Sequence, residues 1–392
     1  MACLPINKEP AVSDARGLAD RRTALAALGA FVFSKAMPAS SPSFVRKPLP
    51  ISAATAVESA AAATLTSTSA VADPRTAAPA PAATDAFSIS DGRIHDPQGH
   101  VYYAHGVNVA NWAATGNGAV NDAGNGTANG KLLLQLLPKC NMVRLNCQLD
   151  EVGKFDSFVR NLTSARCVVV FEYHRTDNRV PTSLANTLAW YRSNADHYKS
   201  SPYVWFGTIN EPGNLPSPRI ARMNKAIYDA VRATGNKAPI MISIDAPYQN
   251  LAPYAAYYKD MTNVVWDLHY YGYALKRDTG SYLTDQKLVD DNLEENIQLV
   301  QTGIGIRSSD GVMPLIIGEY GTSTTGDQPD VNGVQVVDAV HFARCSGAAA
   351  WAWSAGAGDR IQDKGVLKAF GQAVKLWMAG SPPRAWADSD NS

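Results

Sequence analysis

Tyr203-Val204-Trp205-Phe206-Gly207-Thr208-Ile209-Asn210-Glu211-Pro212 is the stretch from which the fold is read. An apolar run rich in β-branched and aromatic residues stops at Asn-Glu-Pro. It reads as a buried strand leading into a turn, because Pro212 disfavours helix at the residue before it. A carboxylate at the end of a buried strand is costly unless another group pairs with it or uses it. Pro314-Leu315-Ile316-Ile317-Gly318-Glu319-Tyr320-Gly321 ends in the same way.

Working outward, short apolar runs alternate with helix-like segments. The runs are Ala104–Val109, Met142–Asn146, Val168–Tyr173, Val204–Ile209, Ile240–Ile244, Val264–Leu268, Leu315–Ile317 and Ala348–Trp353. Between the fourth and fifth, Ser217-Pro218 signals a helix N-cap and first turn. Ile220, Met223, Ile227 and Val231 follow at helical spacing, and Gly235 can close the end. Eight strands alternating with helices over about 290 residues match a (β/α)₈ barrel. A doubly wound open sheet would carry a Gly-rich phosphate loop after its first strand, and Gly106-Val107-Asn108 is not one. Ahead of the first run, Phe87 to Tyr103 contains two short alternating segments around Asp-Gly and Asp-Pro-Gln-Gly turns, the pattern of a hairpin.

The first 85 residues have a different texture. Residues 1–39 hold a twin arginine, Arg21-Arg22, followed by the apolar run Thr23–Phe33, and read as a Tat-type export leader. That run is too short for a membrane span, which needs about twenty residues. Residues 40–85 are dominated by Ala, Ser, Thr and Pro and read as a flexible linker. One domain is therefore expected over 86–385, in a secreted or periplasmic protein. Its 35 basic residues balance 35 acidic ones, so neither nucleic acid nor an anionic membrane is indicated as a partner. None of the five cysteines stands in a zinc-site spacing, and no metal or organic cofactor is expected. Cys140 and Cys167 each precede a strand, and a disulfide between them is feasible.

Barrel chemistry collects at the carboxyl ends of the strands. Those positions hold Asn108, Asn111 and Trp112; Arg144 and Asn146; Glu172, His174 and Arg175; Asn210 and Glu211; Asp245; Asp267, His269 and Tyr271; Glu319; and Trp351 and Trp353. Two glutamates on buried strand ends are the parts of a glycoside hydrolase, and an uncharged sugar polymer suits the balanced charge.

Taken in order, Val143-Arg144-Leu145, Tyr173-His174-Arg175, Asn210-Glu211-Pro212, His269-Tyr270-Tyr271, Ile317-Gly318-Glu319-Tyr320-Gly321 and Trp351-Ala352-Trp353 resemble the motifs of the cellulase family, family five of the glycoside hydrolases. The resemblance spans roughly residues 86–380. It implies Glu211 as acid/base and Glu319 as nucleophile, with Glu211 the less solvated of the two. Arg144 and Tyr271 would hold Glu319, and His269 would tune Glu211. Asn210 and His174 would bind sugar hydroxyls, and Trp353 would stack on a ring face. Trp351 and Trp112 are further candidates, with core packing the alternative for Trp351. Asp177 and Asn178 could line the cleft or form a solvated turn. The implied activity is that of a monomeric, retaining endo-β-1,4-glucanase acting on β-linked polysaccharide or oligosaccharide. The alternatives are a β-mannanase or another β-glucanase or β-glucosidase, a non-catalytic carbohydrate-binding barrel, and a sugar-phosphate enzyme.

Overall fold

The computed structural model describes residues 85–110, 127–174, 183–212, 216–244, 252–276, 280–303, 305–322, 332–353 and 360–380. The leader and linker lie outside them, apart from Asp85. Eight strands, Ala104–Ala110 (β1), Met142–Cys147 (β2), Val168–Tyr173 (β3), Val204–Gly207 (β4), Ile240–Ser243 (β5), Val264–Tyr270 (β6), Leu315–Tyr320 (β7) and Gly347–Ala350 (β8), close into a parallel barrel. Helices follow them in turn: Thr127–Leu136 (α1), Asp156–Thr163 (α2), Leu184–His197 (α3), Ser217–Arg232 (α4), Ala252–Tyr258 (α5), Gln286–Gln298 (α6), Gly333–Phe342 (α7) and Ala369–Met378 (α8). The chain is a (β/α)₈ barrel, as its eight runs imply. Seven strands are buried at every residue and β1 at all but His105, which is why they read as continuous apolar runs rather than alternations.

Strand ends differ from the runs by two or three residues in four places: β4 stops at Gly207, β6 runs on through Tyr270, β7 through Tyr320, and β8 stops at Ala350, before Trp351. Helix α4 buries Ile220, Met223, Ile227 and Val231, but its cap is Pro216 in an extended conformation, so Ser217 is already helical. Gly235 sits at φ 81° just past the end of that helix, in the left-handed region that glycine tolerates. Cys140, Cys147, Cys167 and Cys345 are free thiols, so no Cys140–Cys167 disulfide is formed here. No helix among the described residues is long and apolar enough to cross a membrane.

The barrel interior divides into two halves. Near the strand starts it holds Met142, Val168, Val170, Trp205, Met241, Val265 and Ile316. The expected hairpin, Ser88–Ser90 paired antiparallel with Arg93–His95, packs onto this group. Phe87 meets Trp205 edge-on at 4.9 Å and Tyr102 at 5.2 Å, sealing the end from which the strands begin. Toward the strand ends the interior becomes polar, with Asn108, Arg144, Asn146, Glu172, Asp267, His269 and Glu319 all buried.

One irregularity directs Glu319 into that polar half. Strand β6 pairs Leu268 with Ile317 but His269 with Glu319, and β8 pairs Ala348 with Ile317 but Ala350 with Tyr320. Gly318 is the extra residue of a β-bulge. Ile316 faces the interior and Ile317 the helices, so strict alternation would turn Glu319 outward. The bulge re-aims it inward. Gly318 also makes room for its neighbour, because a Cβ there would stand 1.8 Å from Asp267 Oδ1. Gly318→Ala should therefore displace Asp267, cutting kcat/KM by about a hundredfold or more and lowering the urea midpoint. Wild-type values for both would contradict this account of the bulge.

Candidate active site

Arg144, on β2, is wholly buried at the centre of the polar half. Its Nη1 lies 2.5 Å from Glu319 Oε1 and 3.0 Å from Asn108 Oδ1. Its Nη2 donates to Asn210 Oδ1 at 3.0 Å and Asp267 Oδ2 at 3.3 Å, contacts Glu172 Oε2, and stands 3.2 Å from His269 Nε2. A buried cation needs such partners, and the planar fork of a guanidinium can serve several strands at once. Carboxyl groups arrive from β3, β6 and β7. Burial drives the Glu172 carboxyl up to about 8, well above the usual carboxylate range, in spite of Arg144. Burial also pushes Asp267 upward, but Arg144 and His269 outweigh it and hold that carboxyl below its usual range.

Glu319 receives Arg144 on Oε1 and the Tyr271 hydroxyl on Oε2, at 3.2 Å. Glu211 follows β4 at φ 35°, a left-handed conformation that is unusual for a residue with a Cβ. His269 joins the two glutamates: its Nδ1 is 2.9 Å from Glu211 Oε1 and 3.5 Å from Glu319 Oε2. Donor atoms of Glu211, His269 and Glu319 lie within 4.8 Å of one another. A cation could fit that spacing, but Glu319 is already engaged by Arg144 and Glu211 by His269, and no metal is assigned.

The solvation expected for the two glutamates is reversed. Glu211 is 33% exposed at its side chain and Glu319 only 5%. The turn at Pro212 leaves Glu211 on the rim, while the bulge and Arg144 draw Glu319 inside. Burial raises the Glu211 carboxyl, yet the hydrogen bond and charge of His269, with His174 and Arg144, bring it below its usual value. Burial lowers His269, and Glu319, Asp267 and Glu211 overcome this to hold it well above the usual histidine value. In the free protein the His269–Glu211 pair therefore keeps one transferable proton, on the imidazole.

His174 differs from His269. Its Nδ1 is 3.2 Å from Glu172 Oε1, Asn210 Nδ2 lies 3.4 Å from its Nε2, and burial takes its pKa down to about 4. It is neutral, and its ring stacks on Trp351 at 5.3 Å with 16° between the planes. Trp351 is half-buried at this rim. Trp353, expected on the sugar, is 1% exposed and packs in the core outside the barrel, so it offers no face to a substrate. Trp112, Arg175, Asp177, Asn178 and Asp245 lie outside the described residues.

The structure thus brings Arg144, His174, Asn210, Glu211, His269, Tyr271, Glu319 and Trp351 together. Glu172 and Asp267 were visible at strand ends but carried no expected role. Their signal is a repeated spacing, acid-x-His, in Glu172-x-His174 and Asp267-x-His269. On a strand it puts acid and imidazole on one face. Bare glycines on neighbouring strands accommodate both acids: a Cβ on Gly207 would meet Glu172 Cβ at 3.1 Å, as one on Gly318 would meet Asp267.

A family model described as Cellulase (glycosyl hydrolase family 5) matches residues 134–359. The chain belongs to this family. It is accordingly a glycoside hydrolase. Among solved structures, it is similar to the catalytic domain of endoglucanase Cel5A from Thermobifida fusca, in complex with cellotetraose. The TM-score is 0.55 at 15% identity, covering 75% of this chain and 97% of that one. It is also similar to the catalytic domain of a mannanase from Streptomyces sp. SirexAA-E, with a TM-score of 0.53 at 19% identity, covering 81% and 97%. A family 5 cellulase from an Icelandic hot spring isolate gives 0.55 at 14%, covering 76% and 96%. At such identities these structures share the family's fold. No curated protein sequence matches the chain.

Arg144→Lys tests the centre of this site. A single ammonium cannot face Glu319 and Asn210 while also compensating Glu172 and Asp267, so kcat/KM should fall by about a hundredfold or more. Stability should drop by about 2–4 kcal/mol, read from urea unfolding. Near wild-type behaviour in both would overturn the role given to Arg144.

Proposed function

We propose that the chain is a retaining endo-β-1,4-glucanase that cleaves internal bonds of a cellulose-like β-glucan by double displacement. The observation that carries this reading is the approach of Glu211 and Glu319, whose oxygens come within 4.8 Å of each other. Retaining glycosidases hold their two carboxyl groups about 5–5.5 Å apart, whereas inverting ones leave about 6.5–9.5 Å for a water.

In the first step a Glu319 oxygen attacks the anomeric carbon while Glu211, taking the proton held by His269, protonates the departing glycosidic oxygen. In the second, Glu211 removes a proton from water, whose oxygen attacks the anomeric carbon and displaces Glu319. The proton returns to the His269–Glu211 pair, and the cycle closes. Arg144 and the Tyr271 hydroxyl orient the attacking carboxylate. Asn210 and His174, joined to each other and lying beside Arg144, are placed for the hydroxyls of the sugar being cleaved, and Trp351 supplies a flat rim. The linker and leader residues fit a protein exported to meet a polymer outside the cell.

Glucan is favoured by the family's description and by structural neighbours solved with cellotetraose and cellopentaose. β-Mannan is the second reading, since a mannanase stands among the neighbours. Hydrolysis of carboxymethylcellulose, barley β-glucan and mannan in parallel separates them. Glucan cleavage is expected, lost by at least about a thousandfold in Glu319→Ala. Glu211→Ala should retain the first step on aryl glycosides with good leaving groups and then stall. Cleavage of mannan alone would move the specificity; full polysaccharide activity in both variants would sink the assignment.

A further inference from the structure

The acid-x-His pattern on β6 has a partner set that the double displacement above does not use. Asp267 is 1% exposed, and its Oδ1 lies 3.6 Å from His269 Nε2. Its Oδ2 accepts from Arg144 Nη2 at 3.3 Å and from the Ser243 hydroxyl at 3.5 Å. The bare Cα of Gly318 holds open the space that Oδ1 occupies. On its other side, the His269 ring presents Nδ1 to Glu211 at 2.9 Å and to Glu319 at 3.5 Å. A proton must lie between Nδ1 and Glu211 Oε1, and the upward shift of His269 beside a downward-shifted Glu211 favours it on the imidazole.

The state of Nε2 is a contest between two neighbours. Arg144 Nη2, at 3.2 Å, favours a bare nitrogen that accepts its N–H, leaving a neutral ring. Asp267 favours a second N–H and an imidazolium. Among the described residues, the other charged or titratable groups acting on the ring include Glu172 on β3 and His174 just past it, with Glu211 and Glu319 already named.

We propose that Asp267 is a positioning residue that keeps the second proton on His269 Nε2, so that the Nδ1 proton can pass to Glu211 and on to the leaving group. An imidazolium that gives up its Nδ1 proton becomes an ordinary neutral imidazole, whose remaining N–H points to Asp267. A neutral ring giving up that proton would become an imidazolate, which is inaccessible near neutral pH. Asp267 thus makes the transfer reversible, and the proton returned by water restores the starting state. The high proton affinity of His269, for which Glu319 and Asp267 are the leading favourable charges, agrees with this. Glu172 makes an instructive contrast: it shares the spacing and the contact with Arg144, but burial pushes its carboxyl upward where Asp267 is held down, and burial takes its histidine down as well.

The inference rests on Glu211 being the acid/base, and its first test does not require turnover. Long-range ¹H–¹⁵N correlation spectra of the ¹⁵N-labelled full chain at pH 7 report both ring nitrogens of His269, assigned by comparison with His269→Gln. Both are expected to be protonated in the wild type. In Asp267→Asn the side-chain amide would face Nε2 as a donor, so Nε2 should be bare at pH 7. The His269 titration and the alkaline limb of kcat/KM against pH should then move down by about one unit or more. KM should change by less than about threefold, a split that general loosening of the site would not produce.

A bare Nε2 in the wild type would overturn the proposal, as would an Asp267→Asn protein with the titration and limb in place. If Asp267→Asn does not fold, the wild-type spectrum alone decides. A wild type inactive on every β-glycan would refute the glucanase reading and leave the spectroscopic result standing.

Discussion

A lone guanidinium sealed inside a barrel has to be answered by negative or acceptor groups on every side, and that requirement shapes the upper half of this molecule. Arg144 reaches Glu172 on β3, Asp267 on β6, Glu319 on β7, Asn108 on β1 and Asn210 after β4. Five strand ends are thereby referred to one planar group. The dependence is mutual, because none of those carboxyl groups could be buried at low cost without it. Three acids around one cation leave negative charge in excess, and the upward shift of the Glu172 carboxyl is the response expected of a buried acid there.

The barrel keeps this cluster apart from its apolar half. Phe87, Tyr102 and Trp205 close the end from which the strands start, so the polar groups open only toward the strand ends. Low solvent access strengthens each interaction among them. It also separates the two histidines by environment. His174 is set between Glu172 and Trp351, and burial takes its pKa down, whereas His269 stands among Glu211, Asp267 and Glu319, which hold its pKa up. One residue type, just past β3 and on β6, is thus shifted in opposite directions.

Much of this was legible in the residues. Runs buried on both faces, alternating with helical spacing, point to the barrel, and polar groups at successive run ends locate the site. The rest was not legible for identifiable reasons. Alternation on β7 would turn Glu319 outward, and only the register shift at Gly318 shows why it faces Arg144. The relative solvation of Glu211 and Glu319 depends on where the chain turns after β4, which Asn-Glu-Pro marks without orienting. Trp351 and Trp353 are two residues apart beyond the end of β8, and which of them reaches the rim is decided by packing outside the barrel. Glu172 and Asp267 show no role of their own in the sequence, because a strand-end acid two residues before a histidine reads as one polar patch until the shared contact with Arg144 is seen.

In the proposed double displacement, Glu319, seated by Arg144 and the bulge, forms a covalent bond to the sugar. Incubation with 2-deoxy-2-fluoro-β-cellobiosyl fluoride, followed by proteolysis and mass spectrometry, tests it directly. A fluorocellobiosyl adduct confined to the peptide carrying Glu319 is the predicted result. An adduct on Glu211, or steady release of free sugar with inverted anomeric configuration and no adduct, would contradict it.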